Sequence, residues 1–376
     1  MIIDYFLNHN INMKKYKYSN LFILIFLLIL NVISLFNMIN AKLISSVYDN
    51  AFLKQLIWFL LGYFLIFIFS KIKIKKIFKY SKLLFILSVI SLIIVLFFGS
   101  EINGAKCWIN FWGISFQPSE LVKITLTFFL IATIEKAKIT NIKDEFVLIS
   151  KLFLITVIPS ILVFLEPDTG AIINYFIILI IILFYAKLNK WWYISLISLF
   201  LLFTISIFIM FFFFQDMLIN IIGTSVFYRM DRIINFANGN SYQLENALIT
   251  IGSSTFWGIG INKILLYIPE APTDFFFAFS TGNYGIISSI IIIISYLIID
   301  LNLLTKIDKQ KNKNFKRFIS CYLGIFLFHQ IYNIFMNIGL LPIMGIPLPF
   351  LSYGGTNTII NFLFLAFILN FKNKQN

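Results

Sequence analysis

The sequence predicts an all-α, polytopic membrane protein of about ten transmembrane helices. Three observations carry that prediction. The chain is 60% hydrophobic and only 12% charged, whereas soluble domains average about 25% charged residues. Apolar runs of roughly 20 residues recur along its 376 residues, each long enough to cross a bilayer. Lysines gather in alternate connections between those runs, the arrangement the positive-inside rule gives a multi-pass protein. A β-barrel is excluded, because its strands would alternate polar and apolar residues.

The spans are read at about 20–40, 52–70, 82–98, 119–134, 146–164, 170–186, 191–214, 276–299, 317–339 and 352–371. The first follows Lys14, Lys15 and Lys17, leaving 1–19 as a cytoplasmic tail, and is too long for a cleaved signal. The second and third are joined by a segment holding Lys71, Lys73, Lys75, Lys76, Lys79 and Lys82. The fourth opens on Pro118-Ser119, a helix-start pair, and is followed by Lys136, Lys138 and Lys143. Glu166-Pro167-Asp168 alone separates the fifth from the sixth, as a tight turn. Lys187 and Lys190 follow the sixth, and the only long polar loop, 215–275, follows the seventh. Lys306 to Arg317 joins the eighth to the ninth, and Lys372 and Lys374 close the chain.

These basic connections all fall on one side, so both termini are expected in the cytoplasm, with 215–275 as an extracytoplasmic loop of a single membrane domain, 1–376. The net charge of +14 is then a topological feature, not a nucleic-acid surface. Cys107 and Cys321 have no metal or disulfide spacing. The abundance of Ile, Asn, Lys and Phe matches genomic base bias and carries no function by itself.

The motif-like stretches, 99–118, 165–169, 215–275 and 340–351, all face outward on this topology. Asp274 stands where the long loop meets an apolar run starting at Phe276. It has two readings: a helix-start cap, or a functional ionisable group at the membrane boundary. Glu120 and Lys123, three apart, share a helix face. They form either a structural ion pair or the wall of a polar cavity. Trp108 fits an interface belt as well as a ligand contact. Arginine occurs only at Arg229, Arg232 and Arg317. The first two suit bidentate recognition of phosphate or carboxylate, or a salt bridge to Asp231 or Glu245. Gly252, Gly258 and Gly260 suggest tight, re-entrant backbone. The prolines and glycines of 339–355 specify a fixed loop shape, and His329, Asn333 and Asn337 line one helix face for interhelical hydrogen bonds.

In order, Asn103-Gly104-Ala105 with Trp108, Phe116 to Glu120 with Lys123, Glu166-Pro167-Asp168 with Gly170, Tyr242-Gln243, Ile251-Gly252-Ser253, Pro269-Glu270-Ala271 with Thr273-Asp274-Phe275, and Gly339 to Gly355 resemble the SEDS family of shape, elongation, division and sporulation proteins. The stretch from Asn333 to Phe350 looks most like the rod-shape member, with the division paralogue as runner-up.

The resemblance implies an inverting peptidoglycan glycosyltransferase of the bacterial cytoplasmic membrane. It would polymerise lipid II on the outer face for cell elongation, with a class B penicillin-binding protein transpeptidase and elongation-complex membrane proteins as partners. It implies Asp274 as the catalytic residue and Trp108, Glu120 and Lys123 in the cavity beneath it. Lys106, Arg229, Arg232 or a divalent cation (Mg or Mn) would meet the pyrophosphate charge. The chain departs from the family pattern at Lys106-Cys107, where two arginines are usual, at Gly282-Asn283, where acids are usual, and at Ser254-Thr255, where a Gly-Gly is usual. A lipid-linked sugar flippase and a non-catalytic cell-wall scaffold are the rival readings.

Overall fold

The computed structural model describes residues 2–72, 74–102, 105–111, 114–213, 217, 236 and 241–370. A helix lies at each of the expected spans: α1 (Ile2–Ala41), α2 (Ala51–Phe69), α3 (Ile74–Phe98), α4 (Pro118–Lys136), α5 (Ile142–Leu165), α6 (Thr169–Tyr185), α7 (Lys190–Phe213), α9 (Phe276–Lys309), α10 (Lys313–Asn337) and α11 (Gly355–Ile368). Six of these helices, with α1 counted from Ser19, are long and apolar enough to cross a membrane. α4 falls outside that set while carrying Glu120, Lys123, Glu135 and Lys136, and α6, the apolar stretch Lys190–Ser206 of α7, and α11 are shorter. The chain is a polytopic helical membrane protein.

Three features go beyond the expected spans. A three-stranded antiparallel sheet, β1 (Ser100–Ile102), β2 (Ala105–Phe111) and β3 (Ile114–Phe116), stands where 99–118 was expected to be a loop. β2 alternates buried Cys107 with more open Lys106 and Trp108, the period of a half-covered strand. Strands this short leave no trace in a search for apolar spans. A short helix, α8 (Tyr242–Gly252), lies within the long loop and starts on a Ser241 cap. It buries Leu244, Asn246, Ala247 and Thr250 and exposes Leu248 and Ile249.

The third feature is a break in α9 at Tyr284 (φ −123°, ψ 15°) and Gly285 (φ 74°, ψ −178°). Leaving the helix frees backbone polar groups, which must be satisfied within the protein when they lie among membrane helices. Residues 255–260 satisfy them: Ile259 N donates to Gly282 O (3.3 Å), Gly260 N to Asn283 O (2.8 Å), and Ile286 N to Thr255 O (3.2 Å). The two backbones touch. A Cβ on Gly285 would stand 2.1 Å from Phe256 O, and one on Gly258, also left-handed at φ 73°, 2.4 Å from Asn283 O. The tight backbone expected at Gly258 and Gly260 is therefore the partner of a broken helix.

α1 holds this junction with a polar stripe at three-residue spacing, all buried: Asn31, Ser34, Asn37 and Asn40. Asn283 Nδ2 donates to Asn37 Oδ1 (3.0 Å), and Asn37 Nδ2 donates to Ser280 Oγ (3.1 Å). Asn40 donates to Gly260 O (2.9 Å) and accepts from Asn262 N (2.7 Å). Elsewhere the helices pack through aromatic rings, with Phe128 stacked on Phe318 at 4.7 Å and Tyr322 on Phe364 at 5.0 Å, tying α4, α10 and α11.

Replacing Gly285 by Ala adds left-handed strain and a backbone collision, so thermal unfolding in detergent should show a loss of about 2–4 kcal/mol. Gly252→Ala, with open space around it, should change stability by less than about 1 kcal/mol.

Candidate functional site

The site is built around the turn that delivers Asp274. Glu270 adopts a left-handed φ of 57°. Its carbonyl accepts from the backbone N–H groups of Thr273 (3.2 Å), Asp274 (3.0 Å) and Phe275 (3.2 Å). Its carboxylate accepts from Thr273 Oγ1 and from Tyr48 Oη, both at 2.9 Å. Burial, reinforced by the Glu270 charge, pushes the Tyr48 phenol far above its usual range, so Tyr48 stays an O–H donor. The next carbonyls of the turn are each held: Pro272 O by Tyr353 N (2.8 Å), Thr273 O by Ser352 Oγ, and Asp274 O by Asn333 Nδ2 (2.7 Å) and Asn337 Nδ2 (3.2 Å). The N-cap of α9 is Phe275, so Asp274 lies one residue before the cap position.

The loop 339–355 packs against this turn. It forms no helix until α11, and its carbonyls are claimed one by one by helix side chains. Tyr332 Oη donates to Pro342 O (3.1 Å), Asn333 Nδ2 to Ile346 O (2.8 Å), and Tyr296 Oη to Pro349 O (2.7 Å). Ser34 Oγ donates to Leu351 O (2.6 Å) and Gln55 Nε2 to Ser352 O (3.4 Å). His329 Nδ1 lies 3.1 Å from Pro347 O and, since a carbonyl only accepts, carries the proton there. The fixed loop shape expected from its prolines and glycines is thus imposed from outside the loop as well. His329, with Nε2 3.1 Å from Asn174 Oδ1 of α6, and Asn337, accepting from Ala278 N of α9 (3.0 Å), make the interhelical hydrogen bonds expected of them; Asn333 instead binds the Asp274 turn and the loop.

Gly345 faces the Asp274 carboxylate: the Cβ position of Gly345 lies 3.5 Å from Asp274 Oδ2. On the other side, the Cβ position of Gly170 lies 3.6 Å from Gly345 O and 3.8 Å from Asp168 Oδ1. Asp168 caps α6 through Ala171 N (3.1 Å) and accepts from Gln117 Nε2 (2.8 Å) and Ser119 Oγ (2.9 Å) at the start of α4. One turn further along α4, Glu120 and Lys123 form a buried ion pair at 2.7 Å. The chain therefore gathers the start of α4, the 166–170 turn, the Asp274 turn and the 339–355 loop at one place.

Lys106 and Trp108 sit on β2, half-buried, and the Lys106 ammonium donates to Phe97 O (3.1 Å) at the end of α3. Arg229 and Arg232 lie outside the described residues. Sequence reasoning missed Tyr48 as part of the site, and it placed Gln117 and Gly345 within motifs without giving either a partner. A lone tyrosine after a span and a glycine in a proline-rich loop carry no signal of the carboxylates they meet. Among the described residues no three His, Cys, Asp or Glu side chains gather to hold a metal ion.

Glu166 is fully buried, and among the described residues neither carboxylate oxygen has a hydrogen-bond partner. Burial, and then the charge of Asp168, push it up to about 8. Burial with the same two acids pushes the Cys107 thiol up to about 12. Because the folded-state value of Glu166 exceeds the unfolded one of about 4.5, its protonated form favours folding. That contribution is complete below pH 4.5 and is lost as pH rises through 8. Glu166→Gln should remove the loss, raising stability at pH 9 by on the order of 2–4 kcal/mol and flattening the unfolding temperature between pH 5 and 9.

The FtsW/RodA/SpoVE cell cycle protein family matches residues 18–376. The chain is 31% identical over 328 residues to a protein of Buchnera aphidicola subsp. Schizaphis graminum named probable peptidoglycan glycosyltransferase FtsW, covering 84% of this chain and 88% of that one. It is 34% identical over 328 residues to the protein of the same name in Wigglesworthia glossinidia brevipalpis, covering 84% and 82%. Its fold matches a chain from a solved structure described as "Structural coordination of polymerization and crosslinking by a peptidoglycan synthase complex", with TM-score 0.77 and 20% identity over 94% of this chain and 98% of that one. With helices at the expected spans, and with the start of α4, the 166–170 turn and the 339–355 loop gathered around the Asp274 turn, this chain belongs to the FtsW/RodA/SpoVE cell cycle family, the SEDS proteins.

Proposed function

We propose that the chain is a peptidoglycan glycosyltransferase that polymerises lipid II at the outer face of the cytoplasmic membrane. The observation that carries this reading is Asp274 itself. Its backbone is fixed by Asn333, Asn337 and Glu270, and one carboxylate oxygen faces the gap at Gly345. A general base must be positioned before it is useful, and the held backbone of Asp274 supports that role.

The acceptor hydroxyl attacks the anomeric carbon of the donor. A C–O bond forms there with inversion, the bond to the lipid pyrophosphate breaks, and its electron pair leaves on the phosphate. The hydroxyl proton passes to the Asp274 carboxylate. The pyrophosphate is already a good leaving group, so a general acid is not required. The buried Glu120–Lys123 pair shapes the floor next to the Asp168 corner.

The role in division, not elongation, is the better supported. Relatives at 31% and 34% identity carry the division name, against the rod-shape likeness drawn from residues 333–350. A class B penicillin-binding protein is the proposed partner, supported by the fold match to a chain of a peptidoglycan synthase complex.

Asp274→Asn in the full chain, assayed with lipid II in detergent, should lower polymerisation by about 100-fold or more with an unchanged unfolding temperature. A near wild-type rate would sink the assignment. Expression of the chain in cells depleted of their division polymerase should restore septation. Rescue only of cells depleted of their rod-shape polymerase would return the elongation reading.

A further inference from the structure

The glycines of this chain divide by what a side chain would meet. At Gly258 and Gly285 the backbone is left-handed and a Cβ would strike a neighbouring backbone. At Gly62, Gly282, Gly324 and Gly355 a Cβ would stand 2.4, 2.6, 2.3 and 2.4 Å from Phe362, Thr250, Ile181 and Trp58. Gly345 belongs to neither class. Its φ lies outside the left-handed region, and among the described residues the one heavy atom within 4 Å of its Cβ position is Asp274 Oδ2, at the ordinary contact distance of 3.5 Å. Neither conformation nor packing requires glycine there.

The surroundings make that notable. Ile346 and Leu348 are buried. The carbonyls on both sides are held, Pro342 O by Tyr332 and Ile346 O by Asn333. Ile346 N donates to Met344 O (2.7 Å), closing the backbone around Gly345 itself. Asn333 holds the backbone of both residues, donating to Asp274 O and to Ile346 O. The separation of the Gly345 backbone from the Asp274 backbone is therefore set by the fold. What the missing side chain leaves is room beside Asp274 Oδ2. A hydroxyl bound to a carboxylate sits about 2.5–3.0 Å from its oxygen, and the sugar ring behind it needs further space.

We propose that Gly345 is a size gate for the acceptor sugar, and that its absent side chain is the slot through which the attacking hydroxyl reaches Asp274. The proposal rests on Asp274 being the base. A methyl group at 345 narrows the slot without disturbing the loop, and an isopropyl group fills it. Donor binding, which depends on the lipid and pyrophosphate, does not pass through the slot.

The test uses the purified full chain with fluorescent lipid II. Asp274→Asn, Gly345→Ala and Gly345→Val are compared for polymerisation at saturating substrate, for lipid II binding and for unfolding temperature. The expected result is a loss of about tenfold for Ala and 100-fold or more for Val, with binding changed less than about twofold and unfolding within about 2 °C for Ala. A wild-type rate in Gly345→Val, with Asp274→Asn inactive, would overturn the gate and leave the base intact. An active Asp274→Asn would overturn the base and the gate together. Unfolding of Gly345→Ala would also overturn the gate, because it would mean that packing, not access, demands glycine.

Discussion

Backbone that leaves the helix among membrane helices has to find its hydrogen bonds inside the protein. Here that one requirement builds the site. The break in α9, the Asp274 turn and the loop before α11 are all irregular, and each is closed by side chains or backbone from other parts of the chain. The Asp274 turn and the loop before α11 cannot shift one at a time, since Asn333 binds both and Ser352 joins the loop to the turn. Rigidity at the Asp274 turn is thus a by-product of satisfying polar groups away from water.

Asparagine does much of this. Its amide both donates and accepts, so one buried side chain can bind two backbone groups of opposite kind. Asn40 gives to Gly260 O and takes from Asn262 N; Asn337 gives to Asp274 O and takes from Ala278 N (3.0 Å). Composition suggested that the abundance of asparagine reflects base bias. At these positions it has a structural use whatever its origin, since Ala could supply neither bond.

The charged groups follow the same logic with a different outcome. Glu120 and Lys123 are three apart on one helix and neutralise each other. Asp168 spends both oxygens on the starts of α4 and α6. Among the described residues Glu166 has no such partner, and it keeps its proton instead, the cheaper state for a buried carboxyl. Cys107, where the family pattern has arginine, lies close enough to feel both acids and offers neither of them a positive charge. The corner behind Asp274 is therefore held by hydrogen bonds and one ion pair.

Sequence alone determined the membrane class and the helices, because hydropathy and lysine placement are one-dimensional signals of a solvent that is itself layered. It also marked Asp274, Glu120 and Lys123, since ionisable groups at the ends of apolar runs stand out. It could not show the break in α9, because Gly285 is an unremarkable residue until Phe256 O lies against it. Nor could it show that Tyr48 reaches Glu270 across 222 residues, or that Gly345 faces Asp274. Those pairings depend on which backbone groups lose water when the helices assemble, and only the tertiary structure decides that.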